Sequence, residues 1–382
     1  MRIAIDGIPL SQPKAGVGHY TFEIACGVAA LAPSEEFQVV SQIPFVIDGS
    51  SCDLQNLSFV QQPVNPITKH WWTVGLPLFL RTNSIDLFHG TNYDVPVWGG
   101  CPTVITIHDL SLFLFPETHE QRRVRRARRR LPTMARLATR IIVPTESVKQ
   151  EACEHLSIRS EKIAVIPSAP RKCFFPMPRE EAKETLTRLG IEDSFLLYVG
   201  TIEPRKNLLT LVRALEEIHK HTELRPQLVI AGQTGWLSGD LFDYVKRSRL
   251  NDKVLLTGYL DDEDLRALYS SCSVMSYPSF YEGAGLPPLE AMACGAPVIT
   301  TTARAIVETV GDGALLHEPT DYQSLSQQIT ELMIDSKARD ELIRRGSRRA
   351  AEFTWARAAQ LTYQTYLDAM STWSKQSQSR TT

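Results

Sequence analysis

The stretch SFYEGAGLPPLEAMACGAPVIT, residues 279–300, sets Glu282 ahead of a glycine- and proline-bearing turn and Glu290 inside the segment that follows it. An apolar run, SVMSYP, precedes the stretch and a second, PVITT, closes it, so the order is strand, turn, helix, strand. The turn GAGLPP permits positive φ at Gly283 and Gly285, and Pro287 or Pro288 suits the first turn of a helix. A helix from about Leu286 to Cys294 would present free N–H groups and the positive end of its dipole to an anion, the properties of a phosphate seat. Glu290, about one turn into that helix, is placed to accept from a pair of ribose hydroxyls, and Glu282 stands near whatever hangs from the phosphates. On spacing alone the plainer alternative stays open: Glu290 as a solvated helix residue and Glu282 as a helix cap.

The same alternation runs outward in both directions. RIAI, FQVV, IDLFH, TVITI, RIIVP and KIAVIP are short apolar runs separated by longer amphipathic segments. After the proline-bearing stretch PSAPRKCFFPMPRE the pattern restarts as FLLYVG, QLVIAG, KVLLTGY, SVMSYP and PVITT. Alternation of this kind predicts parallel sheets with helices on both faces. A single sheet of about eleven strands would be exceptional, so the expectation is two doubly wound domains joined near residues 167–180. Domain boundaries are expected at 1–170 and 171–355, with residues 356–382 forming a helix that crosses back toward the first domain and then a polar tail.

Composition agrees with a folded, two-domain chain: 382 residues, 43% hydrophobic, formal net charge -2. Seven scattered cysteines without a Cys-x-x-Cys pair speak against a disulfide framework or zinc site and for a reducing compartment. MRIAIDG reaches Asp6 too soon for a signal peptide, and the most apolar segment, WWTVGLPLFL, is about half a membrane span and contains Pro77. A cytoplasmic protein is expected, soluble or peripheral on the inner face of the membrane.

In open parallel sheets ligands sit beyond the carboxyl ends of strands. GTIEPRKN follows FLLYV there, so Gly200 begins a loop whose Arg205 and Lys206 can add two positive charges to a phosphate cluster. In KAGVGHYT, Gly16 and Gly18 would let the backbone approach a diphosphate or sugar, although a plain turn fits as well. His108 and Asp109 follow TVITI as an imidazole with a carboxylate neighbour, suited to bonding a hydroxyl or to general-base work, or else to a structural role.

Taken together, the Glu282–Glu290 spacing, the Gly200–Asn207 loop, the Gly16–Gly18 turn and the His108-Asp109 step resemble a retaining glycosyltransferase of the GT-B fold, family four. The similarity spans nearly the whole chain. It implies two Rossmann-like domains facing across a cleft, the first for the acceptor and the second for a nucleotide sugar. It further implies that Glu290 holds the ribose, Glu282 contacts the donor sugar, and Arg205 and Lys206 neutralise the diphosphate. Gly16 and Gly18 would lie near the donor phosphates and His108 by the sugar. Gly200, Gly258, Tyr259, Gly283, Ala284, Gly285 and Leu286 complete the implied nucleotide-sugar site. Many members read Gly-Arg-Leu where this chain has Gly200-Thr201-Ile202, and the proline common before Glu308 is replaced. The GTIEPRKN version resembles bacterial mannosyltransferases of polysaccharide assembly and points to GDP-mannose as donor, with a lipid-linked or oligosaccharide acceptor.

No cofactor and no metal are expected. DDED, residues 261–264, contains an Asp-x-Asp, but acidic residues also belong in the first turn of a helix, and DLRALYSSC continues with helical spacing. In QRRVRRARRRLPTMARLATR the apolar Val124, Ala127, Leu131, Met134, Ala135 and Ala138 recur at helical spacing among arginines, with Pro132 expected to kink or restart the helix. The run Arg122–Arg140 would suit an anionic membrane surface, or simply be a solvated face. It lacks the interleaved aromatics of a nucleic-acid binder. A nucleotide-sugar epimerase, or an adaptor using the arginine segment without catalysis, are the alternatives.

Overall fold

The computed structural model describes residues 1–11, 16–46, 52, 54–65, 68–237 and 239–381. The chain divides into two compact units. The first comprises Met1–Phe113, Arg122–Ser168 and Thr354–Thr382; the second comprises Leu114–Gln121 and Ala169–Phe353.

The first unit is built on β1 (Arg2–Asp6), β2 (Glu36–Ser41), β3 (Leu57–Gln61), β4 (Leu87–Gly90), β5 (Thr103–Thr106), β6 (Arg140–Val143) and β7 (Ile163–Val165). They form one sheet in the order β3-β2-β1-β4-β5-β6-β7, every pair parallel. The middle strands are buried on both faces, as helices on both sides require, which is why their sequences run apolar instead of alternating. Helix α1 (Gly16–Leu31) starts earlier than the glycines suggest: Gly16 and Gly18 lie in its first turn and not in a loop ahead of it. Lys14 and Ala15 of that stretch lie outside the described residues.

Helix α2 (Gln121–Leu137) runs through Pro132 without a break. The proline removes one ladder hydrogen bond, but Val124 on one side of it and Leu131, Met134 and Ala135 around it are all buried, and that packing lets the helix continue past it and not restart.

The second unit carries β8 (Phe195–Val199), β9 (Gln227–Ala231), β10 (Val254–Gly258), β11 (Val274–Tyr277), β12 (Val298–Thr301) and β13 (Leu315–His317), again all parallel, in the order β10-β9-β8-β11-β12-β13. Helix α3 (Leu208–His221) buries Leu208, Leu211, Val212, Leu215 and Ile218, one stripe at helical spacing, in the core of this unit. Helices α4 (Asp262–Ser271) and α5 (Leu286–Ala293) follow β10 and β11. Leu114–Gln121, which the sequence places in the first domain, belongs here: the Phe115 ring lies 5.3 Å from Tyr281, and Trp236 Nε1 donates to the Thr118 carbonyl at 2.7 Å.

The last helix, α6 (Trp355–Thr381), is part of the first unit. It packs closely on α1, where a Cβ at Gly27 would stand 2.7 Å from that of Ala359, and Tyr366 Oη meets His89 Nδ1 at 2.8 Å. Among the described residues no helix is long and apolar enough to cross a membrane. None of the seven cysteines is joined in a disulfide.

Candidate functional site

Both sheets reverse their strand order beside the first strand of the set, between β1 and β4 and between β8 and β11. Loops leaving the carboxyl ends at such a reversal diverge to opposite faces and leave a crevice. In the second unit those loops are Gly200–Asn207, after β8, and the Glu282 turn, after β11. Asn207 stitches them together from a left-handed backbone (φ 55°), its Nδ2 donating to the carbonyls of Pro278 at 2.9 Å and Pro319 at 2.6 Å. Gly200 is required by the backbone: at φ 148° its Cβ would meet Tyr198 Oη at 2.8 Å.

Four buried charges meet in this crevice. Lys206 Nζ donates to Glu282 Oε1 at 2.7 Å and to Tyr277 Oη at 3.0 Å. Arg205 Nη1 donates to the Tyr281 carbonyl at 2.6 Å and lies 3.1 Å from Glu282 Oε2, while its Nη2 donates to Glu203 Oε1 at 2.6 Å. Glu203, Arg205, Lys206 and Glu282 are each under a tenth exposed. Burial opposes ionisation of Glu282, but Arg205 and Lys206 overcome it and hold the carboxyl down to about 2. The carboxylate is therefore charged at any physiological pH. Arg205 spends its fork on Glu203, Glu282 and the turn carbonyl, so it shapes the loop. The Lys206 ammonium directs two of its three protons at protein and keeps one.

Glu290 is 3% exposed and is neither a solvated residue nor a cap. Arg171 grips it with two bonds, Nε to Oε1 at 2.8 Å and Nη2 to Oε2 at 3.3 Å, and Tyr269 Oη lies 3.5 Å away. Arg171 also pairs with Asp262 and lies over the Phe174 ring. Burial raises the Glu290 carboxyl above its ordinary value and the Arg171 fork works against that rise. Glu282 is no cap either, since the residue before α5 is Gly285, at φ 121°.

The tip of α5 offers fewer donors than its sequence position suggests. Pro287 and Pro288 occupy its second and third positions and carry no N–H, so Leu286 and the turn residues Gly283, Ala284 and Gly285 supply whatever donors the tip has. Gly258, at φ 74°, ends β10 and the half-exposed Tyr259 follows it, at the sheet edge and two strands from β8. The DDED carboxylates have local duties: Asp261 caps α4 by accepting from the Asp264 N–H at 2.9 Å, Asp262 pairs with Arg171, and Asp264 with Arg188.

In the first unit His108 follows β5 and is half-buried. Its Nε2 lies 2.8 Å from the Thr91 carbonyl, an acceptor only, so Nε2 carries the proton and Nδ1 keeps its lone pair in the neutral ring. Tyr20 meets the ring edge-on at 4.9 Å. Burial lowers the His108 pKa, with the Thr91 bond and Asp109 opposing, and the imidazole is neutral near pH 7. Asp109 does not orient it by a hydrogen bond; Asp109 Oδ1 accepts from the Ser111 N–H at 2.9 Å.

Sequence reasoning missed Arg171, Glu203 and Tyr277. Glu203 sat in the quoted loop, two residues from Arg205, and its charge was the available signal; Arg171 lay in the stretch taken as a linker.

Comparison with known proteins supplies an independent measure. The family described as Glycosyl transferases group 1 matches residues 182–349, and Glycosyltransferase Family 4 matches residues 54–169. The O-antigen chain mannosyltransferase B of Escherichia coli is 30% identical over 386 residues, covering 96% of this chain and 99% of that protein. Among solved structures, sucrose-phosphate synthase from Thermosynechococcus elongatus matches with a TM-score of 0.75 at 23% identity, covering 97% of this chain and 99% of that one. Anabaena HepE in complex with UDP-glucose matches with a TM-score of 0.73 at 18% identity, covering 96% and 99%.

Proposed function

The chain belongs to glycosyltransferase family 4, the group 1 glycosyl transferases, with the GT-B fold, and we propose that within this family it moves mannose from GDP-mannose, with retention, to an acceptor hydroxyl. The acceptor in this reading is a lipid-linked or oligosaccharide chain in polysaccharide assembly. The observation that carries the reading is the Lys206–Glu282 pair, buried at the strand-order reversal of the second unit. Support for mannose comes from the full-length mannosyltransferase relative together with the GTIEPRKN loop.

The chemistry follows from the leaving group. As the bond between sugar C1 and the diphosphate oxygen breaks, negative charge grows on the diphosphate, and fixed cations and N–H groups stabilise it without reorganising. Lys206 supplies its third proton and the turn at Gly283–Leu286 its backbone donors. Glu282, held charged, accepts from the sugar hydroxyls and fixes the hexose. Glu290 accepts from the ribose, shared with Arg171. The acceptor hydroxyl bonds to C1 from the face the diphosphate leaves, and its proton passes to the departing diphosphate oxygen. His108 bonds a sugar hydroxyl through Nδ1.

Metal plays no part in this scheme, because the cations are protein groups. The exposed Arg122, Arg123, Arg125, Arg126, Arg128 and Arg129 of α2 suit an anionic membrane surface, placing a cytoplasmic enzyme near a lipid-linked acceptor. A thermal-shift screen against GDP, UDP and ADP sugars tests the donor: GDP-mannose and GDP should raise the melting temperature most. Release of GDP that depends on an added acceptor separates a transferase from an epimerase, which needs none.

A further inference from the structure

His108 lies at the carboxyl edge of the first sheet. The opposite, amino edge holds a second concavity that the donor reading does not use. The chain segments leading into β5, β6 and β7, together with Thr372 and Trp373 of α6, line a solvent-open hollow of about 740 Å³, the size of a small-molecule site. Four cations line it, Arg136, Arg140, Arg159 and Lys162, against one carboxylate, Glu161.

Their bonds run to carbonyls. Lys162 Nζ donates to the Arg136 carbonyl at 2.8 Å, and Arg140 Nη1 reaches the Glu161 carbonyl at 3.5 Å. Among the described residues no carboxylate lies within ion-pair distance of any of the four. Burial, followed by repulsion from Arg159 and Arg140, brings Lys162 down to about 8, the behaviour of cations pressed together without a counter-ion. These charges come from the end of α2, the start of β6 and the turn before β7, and converge on one hollow. The polar face of a single helix would spread its charges along solvent instead. On the rim, Trp98, Val97 and Leu137 are 48%, 46% and 41% exposed, and the Trp98 ring is fixed by its Nε1 bond to the Thr73 carbonyl at 2.8 Å.

We propose that this cavity is a second anion site, on the opposite edge of the sheet from His108, taking a phosphate- or diphosphate-bearing ligand whose organic part lies against Trp98. Guanidinium forks from three segments suit the non-bridging oxygens, and the apolar rim suits the remainder of a nucleotide, a polyprenyl phosphate or a phospholipid headgroup. The shared chemistry is the phosphate; the experiment separates a free anion from a membrane one.

Inorganic pyrophosphate is titrated calorimetrically into the full chain, into Lys206→Met and into Arg140→Gln/Arg159→Gln. The expected result is a binding event that persists in Lys206→Met and weakens at least about tenfold in the double variant. In parallel, phosphatidylcholine vesicles containing phosphatidylglycerol are sedimented with the same proteins and with Arg122→Gln/Arg125→Gln/Arg129→Gln. Vesicle binding lost in the Arg140/Arg159 variant and kept in the α2 variant identifies a lipid headgroup as the ligand source. Pyrophosphate binding lost without a change in vesicle binding identifies a soluble one. If neither changes in a folded Arg140→Gln/Arg159→Gln protein, the inference is wrong. Arg136→Gln/Arg159→Gln, both exposed positions, repeats the test should the first pair fail to fold. Loss of all pyrophosphate binding in Lys206→Met alone would likewise sink the second site and leave the donor reading standing.

Discussion

Glu282→Gln keeps the shape of the side chain and removes the charge that Lys206 and Arg205 surround. The Glu282 carboxyl titrates at about 2 against an ordinary 4.5. A difference of that size corresponds to roughly 3 kcal/mol of native-state stabilisation. Breaking one side of a buried ion pair costs about 3–5 kcal/mol, so the two routes agree. The folded-state value lies below the unfolded one, so the stabilisation is complete above pH 4.5 and is lost as pH falls toward 2. The variant should therefore be roughly 3 kcal/mol less stable than the parent at pH 7, with the gap closing below pH 4.5. Urea unfolding of both proteins at a series of pH values from neutral downward, followed by circular dichroism, measures that gap. Because His108 and Glu290 titrate in both proteins, their contributions cancel in the difference. A variant as stable as the parent at neutral pH, or a gap that stays constant on acidification, would refute the reasoning.

Lys206→Met should lower kcat/KM by about 10²–10³ while leaving the far-ultraviolet spectrum unchanged, the loss expected when one preorganised donor to a developing anion is removed. Arg171→Met strands the Glu290 carboxylate in a buried site and should cost about 3–5 kcal/mol in urea unfolding; adding Glu290→Gln should recover part of it. Turnover in excess EDTA should match that in its absence, and loss of activity restored by a divalent cation would contradict the protein-cation scheme.

Most strands could be read from sequence because the middle of each sheet is covered on both faces, which forces runs such as FLLYV and QLVIA. The two missed strands, β3 (LSFVQ) and β13 (LLH), lie at sheet edges, where one side lacks a neighbour and the burial demand falls. Lys206 and Glu282 were visible because loops after strands reveal charges that a core strand would not carry, and Glu290 because it stands one turn into the helix that the Glu282 turn leads to. Arg171 was not, because its role depends on a chain crossing that brings position 171 to position 290, and no local pattern encodes that meeting. Leu114–Gln121 escaped for the same reason. The Pro287-Pro288 pair was read for the helix it permits and not for the N–H groups it removes.

The central claim is that the loop ends of the second unit hold a sugar-linked diphosphate. A crystal structure with GDP-mannose tests it most directly. The account predicts diphosphate oxygens within hydrogen-bond distance of Lys206 Nζ and the Leu286 N–H, with Glu290 on the ribose; a diphosphate bound away from Lys206 would contradict it.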